Sequence, residues 1–94
     1  MVKGSAIVTN TNGIHVRPSR VIASAVASHT ERITLKANGF TVTQVNMMNL
    51  LSLGLKEGDK VEITVEGEAE KQVLAQLTAL LETRFEFPPA GNGR

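Results

Sequence analysis

Apolar and polar residues alternate one by one in four short stretches of this chain and recur every three to four residues in three others. The alternation predicts strands. In "SAIVT" (5–9), Ala6 and Val8 share one side; in "ITLKA" (33–37), Ile33, Leu35 and Ala37 face one way and Thr34 and Lys36 the other. "FTVTQ" (40–44) repeats the pattern with Phe40 and Val42 inward, and "VEITVE" (61–66) sets Val61, Ile63 and Val65 against Glu62, Thr64 and Glu66. One apolar and one polar face per strand imply an antiparallel sheet covered on one side.

The longer period predicts helices. "PSRVIASAVASH" (18–29) carries Val21, Ile22, Ala25 and Val26 on one stripe, with Arg20, Ser24 and Ser28 turned away. "EKQVLAQLTALLE" (70–82) carries Val73, Leu74, Leu77, Leu80 and Leu81. A shorter helix in "NMMNLLSLGL" (46–55) opens on a good N-cap, Asn46, and stops at Gly54. Asn38-Gly39 joins the second and third strands as a type I′ hairpin turn, because both residues tolerate positive φ. "KEGD" (56–59) turns into the last strand. The order is β-α-β-β-α-β-α, and helices on the apolar face of one antiparallel sheet make a two-layer α+β sandwich. Residues 85–94, "FEFPPAGNGR", have no periodicity and are expected to form a flexible tail beyond a domain of residues 1–84.

Composition narrows the function. Formal net charge is +1, from ten basic and nine acidic residues interspersed, which is no electrostatic footprint for nucleic acid or a membrane surface. Three Phe without Trp or Tyr argue against a stacking platform for single strands. The absence of cysteine removes disulfides, thiolate metal sites and cysteine nucleophiles. "MVKGSAIV" is too short and polar for a signal peptide, and no apolar run is long enough to span a bilayer. A cytoplasmic domain is expected.

The chemistry concentrates in "NGIHVRPS" (12–19). Asn12-Gly13 is a turn signal, and Pro18 fits the first turn of a helix, where amides have no intrahelical partner. His15 therefore falls at or beside the helix N-cap, with the free amides of Val16 and Arg17 nearby. Such an end binds anions, and the Arg17 guanidinium is suited to phosphate oxygens. The same positive end disfavours imidazolium, so the ring is expected to be neutral and nucleophilic towards phosphorus. No Asp or Glu stands within ten residues of His15 on either side, which weakens a triad or metal reading. Taken by themselves, the eight residues also fit an exposed loop histidine beside a solvated arginine.

The wider chain discriminates between these. "NGIHVRPS", the "ANGF" hairpin, the Met/Leu helix ending in "SLGL" and "EGDKVEITVEGEAE" follow one another in the order and spacing of the histidine-containing phosphocarrier (HPr) family of the bacterial sugar phosphotransferase system, which residues 5–84 resemble. The resemblance implies an open-faced β-sandwich, four antiparallel strands under three helices. It implies that His15 is phosphorylated by enzyme I at the expense of phosphoenolpyruvate and passes the group to an enzyme IIA component. The protein would then be a carrier without a cofactor or metal, and a monomer, and not an enzyme in the turnover sense. Arg17 would hold the phosphate, with Val16 and Asn12 contributing. Arg20 and Ser24, with Met47, Met48 and Leu51 of the short helix, would line the docking face. Met is default core, but a two-turn helix cannot bury every face, so at least one of the consecutive methionines is expected outside.

Two departures bear on regulation. Many members carry a phosphorylatable serine where this chain has Asn46, which keeps an N-cap bond but offers no hydroxyl. Asn49 stands where a basic residue would strengthen attraction to an acidic partner, and Ser52 is no obvious substitute for the missing serine. A carrier of a nitrogen-related regulatory branch and a non-phosphorylated binding module using the Met-rich helix are the alternatives. His29, at the expected end of the first helix, reads as a C-terminal cap. Glu66, Glu68 and Glu70 read as a solvated strand end and favourable charge at the last helix start.

Overall fold

The computed structural model describes residues 1–10, 13–14, 16–27 and 29–83. Asn12, His15 and the expected tail 85–94 lie outside them. The elements run β1 (Val2–Ile7), α1 (Val16–Val26), β2 (Arg32–Ala37), β3 (Phe40–Val42), α2 (Met47–Ser52), β4 (Lys60–Glu66) and α3 (Glu70–Leu81). The expected order holds. All pairings in the four-stranded sheet are antiparallel, in the order β1-β4-β2-β3. Registers such as Ala6↔Val61 and Leu35↔Ile63 put the apolar residues of neighbouring strands on one face. That face meets Ile22 and Val26 of α1, Leu50 of α2, and Val73, Leu77 and Leu81 of α3 in one core. The opposite face, with Lys3, Ser5, Glu62 and Lys36, is exposed.

Several boundaries differ from expectation, each for a local reason. β1 covers 2–7, earlier than the expected 5–9, because it pairs with β4 along its whole length. Val8, just outside it, is still buried and held by Val8 N–H to Asp59 C=O (2.9 Å) and Gly58 N–H to Val8 C=O (2.7 Å). β3 ends at Val42 and not at residue 44, since the Gln44 carbonyl turns to accept from Asn46 N–H (3.2 Å) and Asn49 Nδ2 (2.8 Å) at the start of α2. Phe40, expected inward, is 60 % exposed at the hairpin end of the outermost strand.

α1 runs 16–26 instead of 18–29, and its buried stripe is Pro18, Ser19, Ile22 and Val26. Those positions repeat at i, i+3/i+4 and i+7/i+8, one helical face. Val21 lies about 100° round from Ile22 and is exposed, against the expectation that it joins the core. The hairpin turn is as expected, with φ +52° at Asn38 and +82° at Gly39.

Candidate functional site

The approach to His15 is built from both sides. After Val8 the chain enters the interior, where Asn10 is only 3 % exposed. Gly13 N–H donates to the Asn10 carbonyl (2.9 Å), and Asn10 Nδ2 donates back to the Gly13 carbonyl (2.6 Å). Ile14, buried, donates its N–H to the Leu55 carbonyl (3.1 Å) across the turn that follows α2. Gly13 has φ +70°, and its backbone lies against Leu55 with no room for a side chain. On the other side α1 begins at Val16, and Ser19 Oγ–H donates to the Val16 carbonyl (2.8 Å).

Residue 15 itself is outside the described residues, yet it is the residue immediately before α1. The N–H groups of Val16 and Arg17 belong to the first turn, whose amides find no acceptor within their own helix, and Pro18 has none to offer. No acidic residue stands in that turn. Val16 and Arg17 are both exposed. The positive end of an 11-residue helix thus opens to solvent beside the histidine.

Arg17, Arg20 and Ser24 share the outer face of α1, at spacings i, i+3 and i+7, and all are exposed. Val21 belongs to that face and was missed by the sequence reading; the 17/20/21/24 spacing is the signal that finds it. α1 packs beside α2. In α2, Leu50 is buried, Met47 and Leu51 are half-buried, and Met48 is 72 % exposed. Asn46 caps this helix by accepting Asn49 N–H on Oδ1 (2.9 Å), so asparagine does preserve the cap. Ser52 Oγ–H is turned back to the Asn49 carbonyl (2.6 Å). The far end of α2 is secured by a residue with no such signal in the sequence. Asn38, from the hairpin turn, points Nδ2 at the Leu53 (2.9 Å) and Gly54 (3.3 Å) carbonyls and at Asp59 Oδ2 (3.1 Å).

The second histidine lies past the other end of α1. Its side chain does not cap that helix, as the sequence implied, because α1 ends three residues earlier. His29 Nε2 is hydrogen-bonded to Gln76 Oε1 of α3 (3.0 Å), and Nδ1 lies 3.7 Å from Glu31 Oε1. Glu31 in turn accepts Ala69 N–H on Oε2 (3.0 Å), supplying the N-terminus of α3 with a carboxylate that Ala69 cannot provide. Glu70 does the same for Gly67 N–H (3.1 Å) and pairs with the Met1 ammonium (3.0 Å). Of the expected acidic trio, only Glu70 serves the helix start in this way.

The Ala69 amide, then its own backbone amide and the nearby His29, hold the Glu31 carboxyl below its ordinary value of 4.5. A carboxyl whose pKa is lowered by folding stabilises the fold above its unfolded value, and the benefit is lost as pH falls through the lowered one. Thermal unfolding of Glu31→Gln is therefore expected to lose less on acidification below pH 4.5 than that of the parent protein. Parallel curves of midpoint against pH would show that the Ala69 bond does not favour the charged form.

Among the described residues, no three His, Asp or Glu side chains gather to hold a metal ion, and no helix is long and apolar enough to cross a membrane. Comparison with known proteins places these features. The family model "PTS HPr component phosphorylation site" matches residues 2–83. The phosphocarrier protein HPr of Borreliella burgdorferi is 34 % identical over 83 residues, covering 88 % of this chain and 96 % of the relative. That of Mycoplasma genitalium is 32 % identical over 83 residues, covering 87 % and 94 %. The crystal structure of HPr from Bacillus anthracis superposes with a TM-score of 0.80 at 26 % identity, covering 86 % of this chain and 96 % of that one. With its open antiparallel sheet and three helices, the chain belongs to the HPr family of phosphotransferase-system phosphocarriers, proteins that relay a phosphoryl group and are not enzymes.

Proposed function

We propose that His15 is the phosphoryl acceptor, charged by enzyme I at the expense of phosphoenolpyruvate and discharged to enzyme IIA components, in a monomeric cytoplasmic carrier. The observation that carries this reading is the start of α1 at Val16, one residue after the histidine. The amides of Val16 and Arg17 and the Arg17 guanidinium then neutralise the transferred group, with the contribution from Asn12 that the family resemblance implies. Fixed donors of this kind help equally in both directions, since the transition state places charge on the same equatorial oxygens. The imidazole nitrogen attacks phosphorus, the bond to the donor breaks, and a P–N bond forms that the next acceptor reverses. Incubation with enzyme I and labelled phosphoenolpyruvate is expected to leave one acid-labile phosphoryl group per chain. A chain that stays unlabelled under those conditions sinks the proposal.

The docking face is the outer side of α1 (Arg20, Val21, Ser24) with Met47, Met48 and Leu51 of α2. Met48 supports this best, since a long apolar side chain left 72 % exposed contributes nothing to the core. Methionine also adapts to more than one partner surface, as a relay must. Met48→Asp is expected to leave folding intact, because the position is exposed and acidic residues favour a helix N-terminus. A charge placed in the apolar centre of an interface typically costs about 2 kcal/mol or more. The KM for the carrier in the enzyme I reaction should therefore rise about 25-fold with little change in kcat. An unchanged KM would remove α2 from the interface. Asn46, whose amide cannot take a phosphoryl ester, supports a relay without phosphorylation control at this cap.

A further inference from the structure

We propose that Asn10 is a positioning residue for phosphoryl transfer, an inference that rests on the reading of His15 as the acceptor. Asn10 and Ser19 are the only buried polar residues among those described. Burying an amide is costly unless its groups are bonded, so the side chain must do something an apolar residue would not. Its Nδ2 donates to the Gly13 carbonyl at 2.6 Å, while its own carbonyl accepts Gly13 N–H at 2.9 Å. The side chain thus doubles the backbone closure of a four-residue turn, and both bonds converge on the residue two before the histidine. From the far side, Ile14 N–H is bonded to the Leu55 carbonyl, the chain that leaves α2. Gly13 and Ile14 are in this way held between the end of β1 and the end of the docking helix.

The backbone bond by itself would close the turn. The Ile14 N–H bond to Leu55 holds one end of the Gly13–Ile14 peptide, and the Asn10 amide holds the other end, its carbonyl, so that the peptide is fixed from both sides. That orientation determines how the following residue meets the first amides of α1. At 3 % exposure Asn10 is too buried to meet a docking partner, so its effect on transfer is exerted through the loop it holds in front of His15. Its removal should slow chemistry without weakening docking, because a displacement of the order of 1 Å at a reacting group costs up to about 100-fold in rate.

The test uses Asn10→Ala and Asn10→Asp in the enzyme I reaction with labelled phosphoenolpyruvate, at temperatures where circular dichroism shows each variant folded. Asn10→Ala is expected to lower kcat about tenfold or more, with KM unchanged. In Asn10→Asp a carboxylate faces the Gly13 carbonyl, and burial favours its neutral form. Its rate relative to the parent protein should therefore recover as pH is lowered and the protonated acid becomes a donor again. The two histidines give an internal spectroscopic reference: the His15 ring resonances should move in both variants, and those of His29 should stay. Parental kcat in folded Asn10→Ala, or a raised KM with kcat intact, overturns the inference while leaving His15 as acceptor. An unlabelled parent protein instead overturns the reading of His15.

Discussion

His15→Ala is expected to abolish phosphoryl acceptance altogether, taking the label from one per chain to background, while His29→Ala retains it. The chain has two imidazoles, and the ends of α1 that they flank in the sequence differ in the sign of their partial charge. Val16 and Arg17, next to the first, present helix N-terminal amides and a guanidinium. The second sits beyond the opposite end of α1, a helix of 11 residues and so roughly 16 Å long, where carbonyls and a negative partial charge gather. There one ring nitrogen is bonded to Gln76 and the other faces the Glu31 carboxylate. A phosphoryl dianion approaching His29 would meet like charge and would have to break a hydrogen bond. His29 is therefore not expected to substitute for His15. Enzyme I labelling of the two single variants, followed by acid treatment, checks this; label persisting on His15→Ala would refute the assignment.

Gly13→Ala should be the most damaging single methyl group in the approach to the site. A Cβ at this position would overlap the Leu55 carbonyl oxygen and lie 2.9 Å from Lys56 Cα. Both are backbone atoms. The φ of +70° adds about 1–2 kcal/mol for any residue with a Cβ. The loop cannot simply withdraw, since Ile14 N–H is bonded to the same carbonyl. Strain and clash together are expected to cost about 3–5 kcal/mol, which for a domain of this size lowers the unfolding midpoint by more than about 10 °C. Gly54→Ala is the matched control: φ is +62° but nothing lies within 4 Å of its Cβ. It should cost about 1 kcal/mol, from conformation alone. Equal midpoints for the two variants would show that the contact with Leu55 is not tight.

Much of the fold was legible because burial repeats with the period of the backbone. Val61, Ile63 and Val65 alternate with polar residues, and all three are buried. Val73, Leu77 and Leu81 recur every four residues, and all three are buried in α3. Errors came where the period is satisfied but nothing lies opposite. Phe40 alternates correctly yet sits at the sheet's outer end, and Val21 neighbours a core position while pointing a quarter-turn away. On Ser19 and Asn10 the pattern is silent: both are polar residues buried with a particular carbonyl to bond.

By itself, the sequence determined the order of elements, the I′ hairpin at Asn38-Gly39, the cap at Asn46 and a helix that starts close to Pro18. All of these depend on residues close in the chain, whose φ preferences and hydrogen-bonding groups act over one turn. Only the tertiary structure decided that Asn38 secures α2, that Glu31 completes the start of α3 and that Gly13 must be glycine. In each case the partner (Leu53, Ala69, Leu55) is 15 to 42 residues distant, and a hydrogen bond or a steric contact is specified by position in space, on which local periodicity is silent.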